Sequence, residues 1–147
     1  FGAVAGVGVD KDGHLIVVDS KATAKGKPVI KLGPEGGWQD MYRRQLEIYQ
    51  WLLKQNGFEV SDTGYFVYAT GTQDRDGFNN VVEFETHVFP HHGDNSWVEE
   101  TITEMKKVMD SDTMPPVGTA AMGGPCEHCE YARSRTELTL KALGHDI

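Results

Sequence analysis

The sequence predicts a mixed α/β domain in which helices cover a small β-sheet. Two apolar runs, residues 2–9 and 14–22, flank the turn cluster Asp10-Lys11-Asp12-Gly13. An amphipathic stretch over 38–56 follows them. Two further strand-like runs, Tyr65–Ala69 and Val81–Phe89, then precede a second helical pattern. The order hairpin, helix, strands, helix contains no internal repeat.

Each element has a local reason. The first two strands alternate around a turn whose glycine takes a positive φ. Residues 26–37, rich in Gly, Pro and Lys, read as a loop. The 38–56 helix ends at Asn56-Gly57, a C-cap signal. A polar loop at 71–80 joins the two later strands. Ser96-x-x-Glu99 predicts a capping box for a helix with Val98, Ile102, Met105 and Met109 at helical spacing. Residues 112–125 read as a linker, 126–147 as a C-terminal segment holding Cys-x-x-Cys, and 130–143 as its helix.

The 147 residues, 39% hydrophobic, suit a single domain that buries roughly two-thirds of its unfolded surface. No apolar run approaches the ~18 residues of a membrane span, and no signal peptide is visible. Two cysteines make no disulfide framework, so a reducing, cytoplasmic setting is expected. The chain begins at Phe1 and enters a strand at once, so the expected fold lacks its N-terminal elements. An edge exposed in that way makes a homodimer an expectation as well.

A net charge of −8 excludes a protein that coats nucleic acid through general phosphate attraction. Charge is nonetheless uneven. Lys21, Lys25, Lys27 and Lys31, then Arg43 and Arg44, follow one another, with no acidic residue between Asp19 and Glu35. The run reads either as a solvated loop or as a phosphate-contacting rim.

Alternation over His14–Ala22 puts Leu15, Val17, Asp19 and Lys21 on one face of a strand, with Ile16 and Val18 on the other. A strand apolar on both faces is a buried one, yet its end carries two opposite charges. They read either as an ion pair where the strand emerges or as a cation-binding carboxylate beside a phosphate-stabilising amine. On the 38–56 helix, Trp38, Met41, Tyr42, Leu46, Ile48, Tyr49, Leu52 and Leu53 form an apolar arc. Arg43, Arg44, Glu47, Gln50, Lys54 and Gln55 fall on the far side. Gln45 lies within the arc, where a buried amide without partners costs about 1–3 kcal/mol. It is either a structural amide or, with Tyr49 one turn on, part of a polar site.

Ile16-Val17-Val18-Asp19-Ser20-Lys21-Ala22 followed by Gln45-Leu46-Glu47-Ile48-Tyr49 resembles the PD-(D/E)XK nuclease superfamily, RecB-like branch. That branch pairs an apolar strand ending in D-x-K with a downstream Q-x-x-x-Y helix. The resemblance implies a restriction-endonuclease-like fold, a mixed β-sheet flanked by helices. It also implies Mg²⁺- or Mn²⁺-dependent hydrolysis of DNA, as an exonuclease or endonuclease of DNA repair, recombination or phage DNA processing. Asp19 and the Ser20 carbonyl would hold the metal, Lys21 would orient water, and Gln45 and Tyr49 would support the site and contact DNA. Lys25, Lys27 and Arg44 are the further DNA-contacting residues expected.

The family also carries an acidic residue on the preceding strand, usually as G-x-x-D. With Gly13 closing a three-residue loop, Asp10 pairs with His14 and position 5 pairs with Asp19. Asp10 then lies roughly 16 Å down the ladder at ~3.3 Å per residue, and it is a turn residue. The family spacing falls on Gly2-Ala3-Val4-Ala5, so a methyl group stands where a carboxylate is expected. A non-catalytic nucleic-acid-binding or assembly domain with the same fold is therefore the alternative. A protein-interaction domain in which Asp19 and Lys21 form only an ion pair is the third reading.

Cys126 and Cys129 have C-x₂-C spacing. In the RecB-like branch a similar segment joins further cysteines around an iron–sulfur cluster. Such a cluster needs four ligands, and Arg135 stands where a third cysteine is expected. Zinc through Cys126, Cys129 and His128 or His145 lacks a well-spaced second pair. The reading is no metal at this segment, with zinc or a degenerate cluster remnant at Cys126 and Cys129 as the alternatives; His91-His92 reads as solvated loop.

Overall fold

The computed structural model describes residues 4–74, 77, 80–120 and 123–145. Residues 2–3 of the expected first strand, 121–122 of the expected linker and four positions of the 71–80 loop lie outside them. The elements in chain order are β1 (Gly6–Val9), β2 (Leu15–Thr23), α1 (Asp40–Gln55), β3 (Thr63–Gly71), β4 (Phe84–His92), α2 (Val98–Met109) and α3 (Glu127–Ala142). The strands form one sheet in the order β1-β2-β3-β4. β1 pairs antiparallel with β2, β2 parallel with β3, and β3 antiparallel with β4. The parallel pair needs a crossover, and α1 supplies it. This is the mixed sheet with helices expected of a restriction-endonuclease-like fold.

The hairpin closes as the sequence predicts. Gly13 has φ +90°, and the Asp10 N–H donates to the His14 carbonyl at 2.9 Å. The Asp10 carboxylate accepts from the Asp12 and His14 N–H groups, both at 2.9 Å. Those bonds, the one from His14 foremost, hold its carboxyl below the usual range.

Alternation then decides the core. Val17 on β2, Phe66 and Tyr68 on β3, Leu46 on α1 and Leu32 of the connecting loop are buried together. Phe89 of β4 packs on Phe66 and stacks on Tyr68, with centroids 5.8 and 5.9 Å apart. Gly64 lets α1 approach the sheet: a Cβ there would lie 2.7 Å from Leu46 Cδ2 and 2.9 Å from the Val17 carbonyl oxygen. On the opposite face Val88 and Phe84 stay exposed.

Several expectations are corrected. The last strand runs to His92 rather than stopping at Phe89. As an edge strand, β4 can carry Pro90 without losing a ladder hydrogen bond inside the sheet. His91 is therefore a strand residue and not loop, with Nε2 2.9 Å from Glu47 Oε1. Glu47 and Gln50 do not lie on a solvated far side. Gln50 is fully buried and its amide donates to the carbonyls of Ser61 and Asp62, each at 3.0 Å. Glu47 accepts from Trp97 Nε1 at 2.8 Å. The β3–β4 end of the sheet and the start of α2 cover this side of the helix. Trp38 and Met41, assigned to the apolar arc, are exposed.

The capping box does not form. The Ser96 N–H donates to the Asp94 carboxylate at 3.0 Å, and α2 begins after Trp97 with no side-chain cap bond. The Asx turn at Asp94 takes Ser96 out of the cap position. On α2 only Val98 is buried; Ile102, Met105 and Met109 are exposed, and α3 has no buried residue. A helical stripe is buried only where another element lies against it.

Candidate active site

β2 delivers Asp19 and Lys21 to the face that α1 covers, two residues beyond the buried Val17. Asp19 is 2% exposed. Lys21 Nζ lies 2.6 Å from Asp19 Oδ2. This is a charge contact off the hydrogen-bonding direction, so the buried Oδ2 has no directed donor. The ammonium donates instead to Gln45 Oε1 at 3.1 Å. The Gln45 amide nitrogen then donates to the Tyr49 hydroxyl at 2.9 Å. The four residues singled out in the sequence thus form one continuous chain, strand to helix. Gln45 is a partnered amide, which is why it is tolerated within the apolar arc.

Two aromatic residues complete the surroundings of Lys21, and sequence reasoning did not assign either to the site. Tyr42 presents its ring 4.6 Å from Lys21 Nζ. Tyr68 stands directly across from Lys21 in the β2–β3 register. Burial pushes the Tyr68 phenol above its usual range, Tyr42 and Asp19 push the same way, and a hydrogen bond with Gln39 opposes them. It is therefore a neutral hydroxyl at physiological pH. Tyr42 lies one turn ahead of Gln45, a spacing visible in the sequence. Tyr68 becomes visible only once β3 is paired.

The β1–β2 register agrees with the count made along the sequence. β1 pairs Gly6 with Val18, and one further step brings Ala5, which is exposed, opposite Asp19. Asp10 sits at the other end of the hairpin.

The remaining expected site residues separate. Ser20 is exposed, its side chain on the opposite face of β2. Lys25 and Lys27 line a hollow of about 200 Å³ with Thr70, Gln73 and Glu85 at the ends of β2 and β3. Arg44 opens toward β4 and α2, into a cleft of about 730 Å³ that it lines with Glu47, His91 and Trp97. Cys126 caps α3 and Cys129 lies in its first turn. Hydrogen bonds from the Cys129 backbone and side chain pull the Cys126 thiol below the ordinary thiol range. Both thiols are free and partly buried.

Among the described residues no group of three or more His, Cys, Asp or Glu side chains gathers to hold a metal ion. The donors at β2 are one buried carboxylate with an undirected oxygen and the neighbouring backbone carbonyl. That set fits a hard cation at the lower limit, since Mg²⁺ binds through one or two carboxylates and completes its shell with water and substrate phosphates.

No helix among the described residues is long and apolar enough to cross a membrane. Residues 7–134 match the family model of the PD-(D/E)XK nuclease superfamily. No curated protein and no solved structure matches the chain.

Proposed function

The chain belongs to the PD-(D/E)XK nuclease superfamily, and from that premise we propose that it is a RecB-like, metal-dependent deoxyribonuclease centred on Asp19 and Lys21. Its place would be in DNA repair, recombination or phage DNA processing. Nucleases of this superfamily generally use divalent metal ions, and here Mg²⁺ or Mn²⁺ would be held by Asp19 and the Ser20 carbonyl. Such a cation would supply an activated water and offset phosphate charge.

The single observation that carries the reading is the unbroken contact from Asp19 through Lys21 and Gln45 to Tyr49. Gln45 directs one donor of the Lys21 ammonium, and Asp19 holds its charge in place. The remaining capacity of the ammonium points a positive charge at whatever phosphate or water approaches Asp19. Tyr49 fixes the amide so that its oxygen, rather than its nitrogen, faces the lysine. Lys25, Lys27 and Arg44 are assigned to the DNA backbone on charge alone.

Ala5 favours a second reading, a non-catalytic DNA-binding or assembly domain that keeps the fold. The test is cleavage of end-labelled single- and double-stranded DNA in Mg²⁺, in Mn²⁺ and in chelator, beside Asp19→Asn. Metal-dependent cleavage that falls by about a hundredfold or more in Asp19→Asn is expected for a nuclease. Cleavage that survives the substitution would overturn the assignment, and tight DNA binding without cleavage would establish the second reading.

A further inference from the structure

Two aromatic rings between two lysines lead away from Asp19, and neither ring has a role in the chemistry above. Beyond Lys21 Nζ comes the Tyr42 ring, its centroid 4.6 Å away. The Trp38 ring meets Tyr42 edge-on, with centroids 5.7 Å apart and planes at 76°. Lys25 Nζ then lies 5.0 Å from the Trp38 centroid. Trp38 sits just before α1 and is 47% exposed, although the amphipathic pattern assigned it to the buried arc. A large exposed indole held in place by a buried-side neighbour and a lysine is a poor solution for a surface and a good one for a flat ligand.

We propose that Trp38, backed by Tyr42 and flanked by Lys25, is a stacking platform for an unpaired base, and that the DNA reaching Asp19 is single-stranded. The proposal rests on reading the Asp19 centre as a DNA site and names its substrate class. Charge makes the distinction. A chain of net charge −8 draws little affinity from general phosphate attraction, whereas base–aromatic stacking does not depend on net charge. Bases in a duplex are already stacked on their neighbours and present only edges in the grooves, so a ring of this kind selects strands whose bases are free to turn out. Each ring of the pair carries a lysine over it, so Lys25 would give up the Trp38 ring for the phosphate of the nucleotide stacked there. Lys27 and Lys31 continue the same acid-free loop.

The test is fluorescence anisotropy with a labelled oligothymidine and with a duplex of equal length, at low salt and in chelator so that nothing is cut. The proteins compared are wild type, Trp38→Ala, Trp38→Phe and Lys25→Ala. Wild type should prefer the single strand. Trp38→Ala should weaken single-strand binding by about tenfold or more, the scale of one stacked base, and leave duplex binding unchanged. Trp38→Phe should restore most of the loss because a ring is restored. Lys25→Ala should lower the salt dependence of single-strand binding. Equal loss on both substrates, no loss in Trp38→Ala, or no single-strand binding by wild type would each overturn the platform. The cleavage assay is judged separately: cutting of duplex alone removes the platform and leaves the nuclease, whereas single-strand preference without cutting keeps the platform and removes the nuclease.

Discussion

Replacing Ala5 by aspartate returns a carboxylate to the strand position opposite Asp19. Directly opposed residues of an antiparallel pair have Cβ atoms about 4.5–5.5 Å apart, close enough for two carboxylates to share one cation. At 4 Å and an effective dielectric of 20, two unit charges interact by about 4 kcal/mol. A divalent cation attracts the added carboxylate by about twice that, while the repulsion from Asp19 is present with and without the cation and so bears on stability, not on affinity. Solvent screening at the surface removes most of both interactions, and desolvation takes a further part of the attraction. Ala5 is exposed, which keeps that cost small. Mg²⁺ or Mn²⁺ should therefore bind ten- to a hundredfold more tightly, ~1.4–2.8 kcal/mol. Titration calorimetry measures the affinity, and thermal unfolding supplies a second reading of opposite sign. In chelator the facing carboxylates should lower stability by about 0.2–1 kcal/mol, and added cation should reverse the change. Unchanged metal affinity together with unchanged melting in chelator would refute the register that places Ala5 across from Asp19.

Two further changes probe the same region. Lys21→Met leaves the Asp19 carboxylate, 3% exposed at its side chain, without its counter-charge. It should cost about 3 kcal/mol in urea unfolding and reduce any cleavage by about 10²–10³-fold; unaltered stability would show that the pair is not buried in solution. The Asp40 carboxyl is held below its usual range, first by the Gly36 N–H and then, against the effect of burial, by Arg43. A lowered folded pKa means that the unfolded chain binds the proton first, so this contribution is present above the unfolded value of about 3.9 and disappears as pH falls through the folded one. The stability gap between wild type and Asp40→Asn should be constant from neutral pH to about 5 and should shrink below about 4. A gap that does not change with pH would count against the Gly36 and Arg43 contacts of Asp40.

Much of the site was legible because its parts are short-range. Residues two apart share a strand face, so Asp19 and Lys21 had to travel together with Val17. Residues four apart share a helix face, which put Gln45 beside Tyr49. Gly13 closes the hairpin in one register, so the identity of the residue opposite Asp19 followed from counting. The family resemblance tied these pieces to one another. What failed were statements about burial. The amphipathic pattern of α1 placed Glu47 and Gln50 on the side away from the apolar arc and Trp38 within that arc.

The sequence by itself therefore determined the order of elements, the hairpin register and the four polar residues of the site, since periodicity and turn chemistry are properties of neighbouring residues. Only the tertiary structure decided which side of α1 meets the sheet. It also decided that Tyr42 and Tyr68 enclose Lys21, and that Trp38 and the apolar stripe of α2 stay exposed. Burial is set by what packs against an element, and the partners of α1 come from β2, β3, β4 and the start of α2, distant in the chain and brought together only by the parallel crossover.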